Sequence, residues 1–171
     1  MGKLLIKNGL VFDPQNKISG EIKDILIEDG KFSEKFSSQD NIKEIDATGK
    51  TVIPAAIDIH SHIASQQVNW ARLLGTKNKK FAKFWNRLTL ESISRNYLAK
   101  GYTFVMDANI YPSLSKQTLL DFSNLPVLDK GMLLNVSNLW AIEDEFQRSK
   151  IKELSYFLSD LLSMCKGFGI K

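Results

Sequence analysis

Cysteine, histidine and proline are scarce in this chain of 171 residues, which contains one cysteine, two histidines and four prolines. A single cysteine excludes an intrachain disulfide, so we expect Cys165 to be a small buried side chain on the apolar face of a helix. No apolar run approaches the roughly 18 to 20 residues that a membrane-spanning helix needs, and Lys7 interrupts the apolar N-terminus. These absences predict a cytoplasmic protein without a membrane span.

Charge of one sign is not strongly in excess either. Lys and Arg number 23 against 19 Asp and Glu, a net charge of +4, and 43% of the residues are hydrophobic. This composition is typical of a globular protein and does not predict a nucleic-acid partner. Residues 69–90 include basic residues and no acidic one. We interpret this stretch as the solvated face of a helix, the alternative being a surface for an anionic group or a partner protein.

The first fifty residues consist of short β-type runs separated by turn residues. The dipeptides Asn8-Gly9 and Asp29-Gly30 both tolerate positive φ and therefore predict hairpin turns. Residues 1–52 are predicted to form a small β-domain that is part of a β-sandwich.

From residue 53 onward, strand-like and helix-like periods alternate. The pattern predicts strands over residues 55–62, 103–106, 132–136 and 168–171, and helices over residues 81–88, 89–100, 113–122 and 149–166. We expect Gly101 and Gly167 to end the helices that precede them. This order is that of a parallel α/β sheet, which either closes as a (β/α) barrel or stays open and doubly wound.

The two histidines of the chain, His60 and His62, stand two residues apart at the end of a predicted strand. Because alternate residues of a strand share a face, both imidazoles and Asp58 are expected on one face and Ser61 on the other. Two neutral imidazoles can bind one zinc ion, and parallel sheets carry their sites at the C-terminal ends of the strands. The alternative is a pair of polar residues hydrogen-bonded to loop backbone.

Residues 45–62, which end in His60-Ser61-His62, resemble the junction in the amidohydrolase superfamily between the β-sandwich and the first barrel strand. More narrowly, the chain resembles the A subunits of formylmethanofuran dehydrogenase and of the related formyltransferase/hydrolase complex, over about the first third of their length. The segments that support this narrower resemblance are Ile63-Ala64, Val68-Asn69-Trp70-Ala71-Arg72, Gly101-Tyr102-Thr103-Phe104-Val105-Met106-Asp107, Leu125-Pro126-Val127-Leu128-Asp129-Lys130, Asn138-Leu139-Trp140 and Lys166-Gly167-Phe168-Gly169-Ile170-Lys171.

The resemblance implies a truncated TIM-type (β/α) barrel over residues 53–171, with His60 and His62 as ligands in a binuclear zinc site. It implies Lys171 as a lysine that CO2 carbamylates so that it bridges two metals; the alternative is a solvated charged residue. Asn69 and Arg72 are predicted to contact substrate. Methanofuran is the implied carrier of the one-carbon substrate, and the implied partners are other subunits of such a complex or a separately encoded C-terminal part.

Departures from the family pattern keep other functions open. Ala55-Ala56 replaces the usual glycines, no third histidine is present, and the family's late aspartate would lie beyond Lys171. We therefore assign no catalytic residue within this chain and expect it to be inactive alone, although Asp107 is a candidate to line the site. The alternatives are a non-catalytic truncated product or subunit-interaction module, and a cyclic amidohydrolase of the hydantoinase or dihydroorotase type.

Overall fold

The structure is a computed structural model that describes residues 2–80, 82, 89–137 and 139–171. The chain divides into two compact units, Met1–Pro54 and Ala55–Lys171. The helix predicted over residues 81–88 lies, apart from Ala82, outside the described residues. Within the described ranges, no helix is both long enough and apolar enough to cross a bilayer.

The first unit consists of one mixed β-sheet in the part that the structure describes. Its strands are β1 (Lys3–Asp13), β2 (Ile18–Glu28), β3 (Lys31–Ser33), β4 (Ile42–Asp46) and β5 (Thr51–Val52). The strand order is β3-β2-β1-β4, with β5 also paired to β1. The pairs β1–β2 and β2–β3 are antiparallel, whereas β4 and β5 both run parallel to β1.

The hairpin turn predicted at Asn8-Gly9 is wrong. Strand β1 continues through both residues, and its pairing with β2 shifts register between Ile6 and Gly9. Asn8 has the expected positive φ of 59°, and its N–H donates to Asp24 Oδ1 at 2.9 Å. The conformational freedom of this dipeptide therefore serves a β-bulge, while the chain reverses in a short 3-10 turn at Pro14–Asn16.

The second unit is a parallel sheet covered by helices. Its elements in chain order are β6 (Ala56–Ser61), α1 (Gln66–Lys77), α2 (Leu90–Ala99), β7 (Tyr102–Ile110), α3 (Ser115–Ser123), β8 (Asp129–Leu134), α4 (Trp140–Gln147), α5 (Ile151–Cys165) and β9 (Gly169–Ile170). The strands lie in the order β6-β7-β8-β9, and each neighbouring pair is parallel. The predicted α/β class is confirmed, but the sequence patterns did not predict α1 or α4.

The core of this unit lies between the sheet and its helices. Strands β7 and β8 contribute Val105, Ile110, Met132 and Leu134, each at most 1% exposed. Cys165, at the end of α5, is buried against the same core, as predicted.

Helix α5 does not end as predicted. The left-handed residue that follows it is Lys166, with φ 57°, and Gly167 has no positive φ. The glycine is required for a different reason, because a Cβ at residue 167 would lie 2.8 Å from Leu134 Cγ in the core. Close approach of the chain to β8, rather than backbone conformation, excludes a side chain at this position.

We expect Gly167→Ala to lower the free energy of unfolding by about 1 to 3 kcal/mol, because Leu134 is fully buried and has no room to move. Gly169→Ala is the matched control, since a Cβ there meets Leu133 Cδ2 at an ordinary 3.4 Å. Urea denaturation followed by circular dichroism measures both variants. Equal midpoints for the two variants would contradict this explanation of Gly167.

Candidate metal and substrate site

A β-bulge at the C-terminal end of β6 sets the geometry of the candidate site. Asp58 lies opposite Val105 and Ser61 opposite Asp107, so three steps along β6 match two along β7. The simple alternation predicted for this strand is therefore wrong, because the extra residue brings Asp58 and Ser61 to the same face.

Asp58 consequently faces helix α2 instead of sharing the face of the histidines. Its Oδ2 accepts a hydrogen bond from the Tyr97 hydroxyl at 2.9 Å, and its Oδ1 accepts the N–H of His60 at 3.1 Å. Burial, followed by the hydrogen bond to Asp58, raises the pKa of Tyr97. The amino-acid order of α2 does not reveal this hydrogen bond, because helical periodicity contains no information on the partner of a hydroxyl group.

The two imidazoles lie next to each other, as the sequence predicts. The ring centroids of His60 and His62 are 5.3 Å apart with an interplanar angle of 84°, and both side chains are exposed. Across residues 2–80, 82, 89–137 and 139–171, no group of three or more His, Cys, Asp or Glu side chains is placed to hold a metal ion. The pair therefore fits two positions of a zinc shell that takes four ligands.

The carboxylate of Asp107, which is fully buried in the C-terminal half of β7, holds the residues that follow His62. Its Oδ2 accepts the N–H groups of Ile63 at 2.9 Å and Ala64 at 2.7 Å, and its Oδ1 accepts the N–H of Asn109 at 3.3 Å. The same Oδ1 lies 3.7 Å from His62 Nδ1. Asp107 thus anchors the backbone directly after the histidine pair.

Asn69 and Arg72, predicted to bind substrate, both point to the backbone of this loop. Arg72 donates to the Ile63 carbonyl and to Asn69 Oδ1, while Asn69 Nδ2 donates to the Ala64 carbonyl at 3.2 Å and to Asp121 Oδ2 at 2.9 Å. Burial lowers the pKa of Arg72, and two neighbouring aspartates oppose that shift. The side chains of helix α1 therefore hold the loop from its carbonyl side.

Lys171 follows β9, and its backbone N–H donates to the Leu134 carbonyl at 2.8 Å. Because all neighbouring strands are parallel, Lys171 and His62 lie at the same end of the sheet. Strands β6 and β9 are nevertheless at opposite ends of the strand order in the described sheet. Three strand spacings correspond to about 14 Å along a flat sheet, so a shared site requires the sheet to curve.

No protein-family profile matches the chain. The chain is 36% identical to protein FwdA of Methanocaldococcus jannaschii over 98% of its own length, which covers 31% of that protein. It is 29% identical over 97% of its length to the A subunit of the formyltransferase/hydrolase complex Fhc of Methylorubrum extorquens, again covering 31%. The chain is thus homologous along nearly its whole length to part of each of these two proteins. It spans about a third of the length of these curated relatives.

A solved structure shares the fold of this chain. The X-ray structure of the FhcABCD complex from Methylorubrum extorquens with methylofuran matches 98% of this chain with a TM-score of 0.82 at 24% identity, covering 32% of that structure's chain. A dihydroorotase of Elusimicrobium minutum is 49% identical over 63 residues, but covers only 36% of this chain. The chain therefore also has relatives among dihydroorotases, which are amidohydrolase-type proteins, whereas its similarity to FwdA and to the Fhc A subunit extends along nearly its whole length.

We expect Asp107→Asn to lower the free energy of unfolding by about 2 kcal/mol, because the variant replaces a charged acceptor of buried N–H groups with an amide. Amide hydrogen exchange at Ile63 and Ala64 should accelerate. Asp160→Asn on the exposed surface of α5 is the control and should leave both measurements unchanged. Unchanged exchange at both amides in Asp107→Asn would contradict the anchoring role.

The raised pKa of Tyr97 predicts a specific alkaline response. The folded state favours the protonated hydroxyl, so its contribution to stability is complete below the ordinary pKa of 10.0 and is lost as the pH rises through the folded-state value. The unfolding free energy of the wild type, minus that of Tyr97→Phe, should therefore fall above about pH 10. Denaturation curves measured from pH 8 to 11 check this. A difference that stays constant over that range would contradict the assignment.

Proposed function

We propose that this chain is the N-terminal part of a zinc-dependent amidohydrolase-type subunit that acts at the formyl C–N bond of formylmethanofuran. The reaction is either hydrolysis of that bond or condensation of formate with the amine. The observation that carries the proposal is the adjacent pair of exposed imidazoles at the end of β6. The family relationship over nearly the whole chain supports the choice of substrate class.

In this proposal His60 and His62 hold one zinc ion through neutral ring nitrogens. The ion, when bound, acts as a Lewis acid on the formyl carbonyl. Asp107 Oδ1 lies 3.7 Å from His62 Nδ1, so Nε2 of that ring would be the nitrogen that holds the ion. The hydrogen bonds from Ile63 and Ala64 to Asp107 hold the backbone after the ring in place, so the imidazoles are oriented before a ligand arrives.

Lys171 is proposed as a further ligand after carbamylation. The ammonium group would first release a proton, and the neutral Nζ would then attack the carbon of CO2 and release a second proton. The product is a carbamate, in which two oxygens share one negative charge and could bind two metal ions. Residues 1–52 are proposed as part of a β-sandwich and residues 53–171 as the first part of a TIM-type barrel. The remaining ligands and the proton-handling carboxylate are proposed to lie in the part of the family's length that this chain does not span, and other subunits of a formylmethanofuran complex are the proposed partners.

A second candidate function is a subunit-interaction module without catalysis. The incomplete set of ligands among the described residues favours it. The exposed apolar side chains of α1, with Trp70 53% and Leu74 61% exposed, provide a surface for such contacts. Zinc binding separates the two functions, because an interaction module has no need of the histidine pair.

We expect equilibrium dialysis to show zinc uptake by the wild-type chain, weak because two imidazoles are fewer than the ligands of ordinary zinc sites. His60→Ala and His62→Ala should each reduce uptake strongly. Gln147→Ala, a substitution far along the chain on α4, is the control. Equal zinc content in the wild type and the double histidine variant would contradict the proposed site.

Carbamylation of Lys171 predicts that bicarbonate strengthens zinc binding by the wild type. Lys171→Ala should abolish the bicarbonate effect, and Lys116→Ala on α3 should retain it. A ¹³C resonance of a carbamate after addition of ¹³C-bicarbonate would identify the modified side chain directly. If bicarbonate strengthens zinc binding equally in Lys171→Ala, the carbamate assignment is wrong.

A further inference from the structure

One backbone arrangement recurs at the C-terminal ends of three neighbouring strands of the second unit. In each case a side-chain oxygen of Asp or Asn accepts the N–H of the residue two positions later. The pairs are Asp58 with His60 at 3.1 Å, Asp107 with Asn109 at 3.3 Å, and Asn135 with Ser137 at 2.9 Å. In the first of these pairs, the residue that donates its N–H is His60, a proposed zinc ligand. Asn109 is the equivalent residue on β7.

Asn109, like His60, lies inside a β-bulge. Asp107 lies opposite Met132 and Ile110 opposite Leu134, so three steps along β7 match two along β8. Bulges next to active sites redirect side chains away from the regular alternation. Asn109 therefore departs from the alternating pattern of β7 where the strand ends, as His60 does on β6.

A chain of hydrogen bonds fixes which way the Asn109 amide faces. Asn135 Oδ1 accepts the N–H and the hydroxyl of Ser137, so Asn135 Nδ2 is a donor. That Nδ2 donates to Asn109 Oδ1 at 2.6 Å. Nδ2 of Asn109 is then left with two N–H donors, and no described residue accepts from them. Asn109 is half-buried, its oxygen already accepts from Asn135, and its Nδ2 has no acceptor among the described residues. This Nδ2 can therefore donate to an acceptor atom of a ligand.

Asp107 connects this donor to the histidine pair. Its Oδ1 accepts the Asn109 N–H at 3.3 Å and lies 3.7 Å from His62 Nδ1. One carboxylate oxygen thus contacts both the bulge that carries Asn109 and the ring of His62. The backbone that carries Asn109 and the ring of His62 therefore both lie against this carboxylate, on neighbouring strands at the same end of the sheet.

We propose that Asn109 Nδ2 donates a hydrogen bond to the carbonyl or carboxylate oxygen of a one-carbon acyl group bound beside His60 and His62, with Asn135 as the positioning residue. The ligand class rests on the proposed function. Formate and a formamide group share the acceptor oxygen that this donor fits. A neutral amide binds either one, whereas an anionic side chain at this position would repel formate.

The test measures binding of ¹³C-formate and of formamide to the zinc-loaded chain by NMR titration, with zinc content measured on the same samples. Asn109→Ala should weaken formate binding about 10-fold, as expected for one lost hydrogen bond to a charged group. Asn109→Asp retains an oxygen that can accept from Asn135 but lacks the donor, so it should weaken formate binding more than formamide binding. Asn96→Ala, an exposed amide on α2, is the control.

Zinc content should be the same in all of these variants, because none removes an imidazole. Formate affinity in Asn109→Ala equal to that of the wild type would overturn the inference while leaving the zinc site intact. Zinc-loaded wild type that binds no formate would also overturn it. A wild-type chain that takes up no zinc would instead overturn the proposed function, and the assignment of this ligand would fall with it. Asn109→Asp keeps the test decisive if Asn109→Ala does not fold, since it preserves the shape of the side chain.

Discussion

The candidate site depends on the fully buried carboxylate of Asp107, whose hydrogen bonds within the described residues come from backbone N–H groups. An unpaired charge in a protein interior is strongly unfavourable, and Asp107 is stabilised instead by backbone N–H donors from two different segments. Two of these donors belong to the residues that follow His62, and the third belongs to the bulge of β7. The cost of burying the charge is therefore offset only when the end of β6 is in its native position, which couples the folding of the core to the placement of the histidines.

The loop after His62 is held from both sides of its backbone. Asp107 accepts its N–H groups, while Asn69 and Arg72 donate to its carbonyls, and Asn69 links the loop to Asp121 of α3. Helix α1 is thus attached to the sheet through polar side chains, with Trp70, Leu73 and Leu74 at least half exposed. This explains why α1 lacks a clear apolar stripe in the sequence. Asn69 and Arg72 therefore support the geometry of the site through their hydrogen bonds to this loop.

The polar residues at the C-terminal end of the sheet follow the order of the strands. His60 comes from β6 and His62 from just after it, Asn109 comes from β7, Asn135 from just after β8, and Lys171 from just after β9. Parallel strands in consecutive order place such residues in a row along one end of the sheet. A flat sheet would keep the first and last members of this row well apart, so the degree of curvature decides whether they act on one ligand.

Features that depend on neighbouring residues could be predicted from the amino-acid order alone. The His-x-His spacing, the alternation of strand and helix periods, the positive φ of Gly101 and the buried cysteine all follow from local pattern, and the family resemblance rests on short segments read in order. Long-range packing, in contrast, set the bulges at the ends of β6 and β7, the bond between Asp58 and Tyr97, the left-handed Lys166 in place of Gly167, and the partners of Asn69 and Arg72. A bulge is a mismatch between two strands, and a buried polar group is stable only beside a particular partner. Both depend on residues tens of positions apart, which periodicity within one segment does not register.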